Sequence, residues 1–136
     1  MQAHFGAAGM AKTAGNRDFQ TFLAELQEGD GLFISPELYA KKLALDKQRL
    51  AELAHVHRNT VGRMPESPQL QKYLRESIRV LAAATDLVGN ASKAAFWYRN
   101  QPLSDFNYQT AETLVSEGRA EDVVRYIEML SAGSTG

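Results

Sequence analysis

The sequence predicts an all-α fold. Apolar residues recur at helical spacing in several segments, and start and stop residues bracket those segments. No segment sustains the period-2 alternation of a half-buried strand.

Residues 1–15 are small and polar and are expected to form a mobile tail. A short amphipathic helix over 17–28 follows, because Phe19, Phe22, Leu23 and Leu26 fall at i, i+3, i+4, i+7; Gly29-Asp30-Gly31 stops it. Ser35-Pro36 starts the next helix, with Leu38, Tyr39, Leu43 and Leu45 inward. Asp46 caps another that carries Leu50, Ala51, Leu53 and Ala54. A short helix runs from about His57 to Met64 and ends at Pro65. Ser67-Pro68 opens a long helix whose stripe is Leu70, Tyr73, Leu74, Ser77, Ile78, Leu81, Ala84 and Val88; Gly89 closes it and Asn90 caps the next. Residues 91–100 form an aromatic helix with Phe96-Trp97-Tyr98, in which Trp97 is expected to face the core. A loop over 101–109 leads to a helix over 110–117, stopped by Gly118. The last helix, 119–131, turns Val123, Val124, Ile127 and Leu130 inward, with Glu121-Asp122 suiting its N-terminus and Gly133 as its stop.

The chain has 136 residues and ordinary globular composition, with 44% hydrophobic and 23% charged residues. It has no cysteine, which excludes disulfide scaffolds, thiolate metal sites and cysteine nucleophiles. No apolar run is long enough to span a bilayer, and no export signal stands at the N-terminus, so a cytoplasmic protein without a membrane partner is expected. The net charge of −1 averages opposed segments. Residues 41–79 carry nine basic against four acidic side chains, whereas residues 101–136 carry two against six. That asymmetry points to a nucleic-acid face in the middle and a different partner for the end.

Lys47 to Met64 has the pattern of a helix-turn-helix. Ala51 is small where two helices would cross, His55-Val56 occupies the turn, and Val61 and Met64 supply buried positions on the second helix. His57, Arg58, Asn59, Gly62 and Arg63 are left outward. Arginine and asparagine make bidentate contacts with guanine and adenine edges, so His57, Arg58, Asn59 and Arg63 are the candidate DNA-binding residues. The segment resembles the helix-turn-helix of Xre/Cro-type regulators, departing from it at His55, where glycine is usual.

The segment from Ala95 to Leu130 resembles the toxin-binding domain of the MbcA/ParS/Xre antitoxin family. The matching pieces are Ala95, Trp97, Gln101-Pro102-Leu103, Leu114, Ser116-Glu117-Gly118, Val123 and Ile127. Residues 104–108 lack the family's glycine and 109–112 its proline. With the helix-turn-helix, the resemblance covers about residues 32–133. It implies an Xre-like helix-turn-helix domain over 32–89 and a small helical toxin-binding domain over 90–136, behind residues 1–31. It also implies a partner, a RES-domain toxin that consumes or transfers from NAD, and autorepression through operator DNA. On that reading the outer face of the last helix (Arg125, Glu128, Met129) and the tail (Ser131, Gly133, Ser134, Thr135) form the toxin-binding surface. The small tail residues would enter the toxin's active site and occlude it.

Two other readings of the same residues stand beside this one. In the first, the chain is a helix-turn-helix transcription regulator whose residues 90–133 serve only dimerisation. In the second, it is a binding module whose helix-turn-helix has lost DNA affinity. The Leu70–Val88 stripe is longer than one small module should bury, so a homodimer is expected. No catalytic, metal or cofactor site is expected. Residues 6–13 only approximate a phosphate loop and have no strand before them, and His55 and His57 do not share a helical face.

Overall fold

The computed structural model describes residues 17–27 and 33–133, and these are helical with no strand. Eight α-helices follow in order. They are α1 (17–24), α2 (Pro36–Lys42), α3 (Lys47–Ala54), α4 (Arg58–Arg63), α5 (Pro68–Val88), α6 (Ala91–Asn100), α7 (Ala111–Ser116) and α8 (Ala120–Gly133). The expected tail at 1–15 and the stop at Gly29–Gly31 lie outside the described residues. Among the described residues no helix is long and apolar enough to cross a membrane.

Helix starts are fixed by short polar side chains. Ser35, Asp46, Asn90 and Thr110 each accept a hydrogen bond from an N–H in the first turn of the following helix, satisfying a donor that has no intrahelical partner. Proline at the start of α2 and of α5 supplies a preset φ where no N–H is needed.

α5 is the axis of the fold, and α3, α6, α7 and α8 pack against it. One hydrophobic cluster runs from Phe19 and Leu26 in the N-terminal region through Leu50, Leu74 and Leu81 to Leu114 and Ile127. Polar side chains inside it are paired. The buried Gln71 carboxamide accepts from Ile34 N–H (3.1 Å) and donates to Ile34 O and Pro65 O (2.8 Å each), fastening the entry to α2 onto α5. Tyr39 meets Ser77, and Tyr73 meets Tyr98. Burial pushes all three phenols well above their ordinary pKa, which keeps them available as donors.

Several expectations need correction. The Leu70–Val88 stripe does not await a second copy, because α6, α7 and α8 of the same chain cover it. The length argument for a homodimer therefore falls. Met64 is 61% exposed: α4 ends at Arg63, so Met64 leaves the helical periodicity set by Val61. Leu130 is 38% exposed, and the buried stripe of α8 ends one turn earlier, at Ile127. α8 runs as far as Gly133, past the expected end at 131, so Gly133 is a helical residue and not one beyond the helix end. Ala91, Ala94 and Tyr98 form the buried face of α6, so Tyr98 is the core ring, Trp97 is half-buried and Phe96 is exposed. The 101–109 segment is more ordered than a plain loop: a 3-10 turn over Ser104–Phe106 sits inside a bridge between Leu103 and Gln109.

Candidate nucleic-acid interface

α3 and α4 are joined by a tight turn. His55 sits there with φ 58° and ψ 42°, and Val56 N–H donates to Ala51 O (3.0 Å), closing the end of α3. Residues other than glycine are uncommon in this left-handed region, with asparagine, aspartate and histidine the most frequent of them, and Ala44, Asn107 and Tyr108 adopt it here as well. Ala51, Leu53 and Ala54 of α3 and Val61 of α4 are buried, so the two helices are held by apolar contact on their inner faces. Two short helices are thus joined by a tight turn, with His55 in the left-handed backbone conformation that glycine readily takes.

The outer face of the pair is cationic. Arg58, Asn59, Gly62 and Arg63 of α4 and Lys47 of α3 line a shallow cavity of about 430 Å³. A Cβ placed on Gly62 would lie 3.5 Å from Lys47 Nζ, an ordinary van der Waals contact, which puts the ammonium beside α4. Among the described residues, none of Lys47, Arg58 and Arg63 pairs with a carboxylate. A neighbouring cleft of about 820 Å³ between α2, α3 and α4 carries Glu37, Asp46 and Glu66 on its walls. Lys41 and Lys47 line the same cleft, so its charge is mixed, whereas the cavity around Gly62 carries cations and no acid.

Of the sequence-predicted residues, Arg58, Asn59 and Arg63 are brought together and exposed. His57 stands apart in role. It is the N-cap of α4, and its Nδ1 accepts from Asn59 N–H (3.0 Å), which leaves only Nε2 for a ligand. Lys47 escaped the sequence reading, because its contact with Gly62 crosses between helices.

The predicted partner surface lies on a different element. Arg125, Glu128, Met129, Ser131 and Gly133 are exposed along the outer face and last turn of α8, while Ser134 and Thr135 lie outside the described residues. Arg125 Nε stands 3.8 Å from Glu121 Oε1, and Glu121 also pairs with Arg79. Phe96 on α6, 71% exposed, joins Val88 and Trp97 around a second apolar cavity of about 430 Å³.

Between these surfaces lies a buried acid the sequence reading missed. Glu112 in α7 is 4% exposed and stands 3.6 Å from Arg49 of α3 and 3.4 Å from Arg99 of α6. Burial pushes its carboxyl up from the ordinary value, while Arg99 and Arg49 pull it down. Arg99 in turn donates to the carbonyls of Leu43 and Ala44 in the α2–α3 turn. The available signal was the i, i+3 spacing of Glu112 with Val115, which puts the acid on the apolar stripe of α7. No protein-family model, curated protein or solved structure matches the chain.

Proposed function

We propose that the chain is the antitoxin of a type II toxin–antitoxin pair, with a DNA-reading face on α3–α4 and a toxin-binding face on α8. The observation that carries this reading is a division of the surface. Unpaired cations gather around Gly62, and large exposed apolar side chains, Met129 and Leu130, gather at the end of α8. Clustered cations without internal partners suit a row of phosphates, where released counterions drive binding. Exposed apolar side chains with polar neighbours suit a protein partner. The resemblance of residues 95–130 to the MbcA/ParS/Xre antitoxins supplies the identity of that partner, a RES-domain toxin whose active site the end of α8 would occlude. No catalytic role is assigned to this chain.

The covered stripe of α5 removes the reason to expect a dimer seam along that helix. Two copies are expected to meet on paired DNA half-sites rather than through α5. The test is co-expression with the adjacent reading frame, together with a gel shift on the chain's own upstream DNA at several salt concentrations. Growth rescue, co-purification and salt-sensitive binding support the reading. Absence of both rescue and co-purification overturns the antitoxin assignment, and salt-insensitive or absent binding overturns the DNA-reading face.

A further inference from the structure

The oddity at the centre of the reader is His55. A left-handed backbone is easiest for glycine, yet an imidazole stands there. Its ring is not idle. His55 Nε2 donates to the carbonyl of Ser116 (2.9 Å), at the end of α7. Ser116 Oγ donates to Leu53 O (2.7 Å) in the last turn of α3 and lies 3.2 Å from the same ring nitrogen. At the other end of α7, Glu112 pairs with Arg49 in the first turn of α3. The Arg49–Glu112 and Leu53–Ser116 contacts span the same 63 positions, so α7 lies along α3 in parallel register and is tied to it at both ends.

We infer that α7 is a splint for the DNA reader and that His55 is the positioning residue through which it fixes the turn between α3 and α4. This rests on the DNA-reading role proposed above and names how that role is governed: the C-terminal half sets the angle at which α4 is presented. His55 touches no DNA in this scheme. It acts by tying the turn to Ser116, and the left-handed backbone at His55 is where that tie is made.

The experiment compares the parent chain with His55→Gly. Glycine adopts the turn without a Cβ clash, so the variant should melt near the parent temperature while losing the tie to α7. Two probes are used: a duplex enriched by the parent from a random-sequence pool, and poly(dI-dC). Affinity for the enriched duplex is expected to fall about tenfold. Affinity for poly(dI-dC) and its salt slope should stay unchanged, because the phosphate-facing cations remain. Equal affinity of parent and variant for the enriched duplex overturns the inference. A shallower salt slope also overturns it, since it would place the ring on a phosphate. Should His55→Gly lower the melting temperature, Ser116→Ala carries the test: it removes the hydroxyl's bond to Leu53 O and its contact with His55 Nε2 while leaving the Ser116 carbonyl in place, and it must reduce discrimination in the same direction. A parent that enriches no duplex at all would defeat the DNA-reading role itself, an outcome distinct from either variant result.

Discussion

The α3–α4 pair and the C-terminal half use charge in opposite ways. Around Gly62, Lys47, Arg58 and Arg63 have no acid partner among the described residues. In α6–α8 and their connections, Arg99, Arg119 and Arg125 each face a carboxylate: Glu112, Asp122 and Glu121. The exposed Arg119 and Arg125 pairs contribute little to stability, about 0–1 kcal/mol, but they do neutralise a surface, whereas the Arg99–Glu112 pair is buried on its acid side. The C-terminal half thereby presents apolar contacts instead, through Phe96, Met129 and Leu130. On the proposed function, the unpaired cations of the first region suit a polyanion, and the second, whose arginines are paired, offers hydrocarbon suited to a protein.

The largest effect expected from breaking this comparison is loss of α8. Truncation at Gly118 removes the buried Val123, Val124 and Ile127, each contributing roughly 1.5–3 kcal/mol, a large share of the 5–15 kcal/mol that holds an ordinary domain. The circular-dichroism melt of the remaining chain should lose its cooperative transition. A retained transition would mean that α5 is not covered as described.

Next in size are the reader substitutions. Arg58→Ala or Arg63→Ala should weaken binding to upstream DNA by about 1–3 kcal/mol if the arginine contacts a base, with melting unchanged. Lys47→Ala should weaken binding to all sequences alike and reduce the salt slope by about 1. Parent-like titrations for all three variants would place the interface elsewhere.

A subtler effect concerns Glu112. Its folded pKa lies above the ordinary glutamate value because burial outweighs its two arginines. Such a group stabilises the fold fully below its unfolded pKa, and this stabilisation is lost as pH rises through the raised folded value. Urea melts of the parent should therefore show a component that weakens as pH climbs through that window, and Glu112→Gln should lack it. Parallel pH profiles for the two proteins would contradict the burial argument.

The smallest expected effect on stability comes from Met129→Ser. An exposed side chain should change the urea midpoint by no more than about 0.5 kcal/mol equivalent. Protection against the toxin should nevertheless fall, measured as colony formation on co-expression. Full protection would exclude Met129 from the partner face.

Most of the helical order was legible because local chemistry writes it. Ser35-Pro36, Asp46 and Asn90 mark starts whose hydrogen bonds the structure contains. Arg58, Asn59 and Arg63 were legible as outward residues because their neighbour Val61 fixes the inner face of so short a helix. What escaped depends on residues far apart in the chain. Glu112 looks like an ordinary first-turn acid until Arg49 and Arg99 arrive from α3 and α6. The α5 stripe announces that it must be covered but not by which chain. Helix ends misled for a related reason: periodicity assigns Met64 and Leu130 to inner faces, yet the helix or its cover stops before them.

The central claim is that one chain serves two partners through separate surfaces. Its most direct test is the Arg58→Ala/Arg63→Ala double variant co-expressed with the adjacent-frame toxin, assayed for growth and for gel shift of upstream DNA. The account predicts full growth and toxin co-purification with the shift abolished. Growth arrest by a double variant that still folds would contradict it, because the reader and the toxin-binding face would then be one surface.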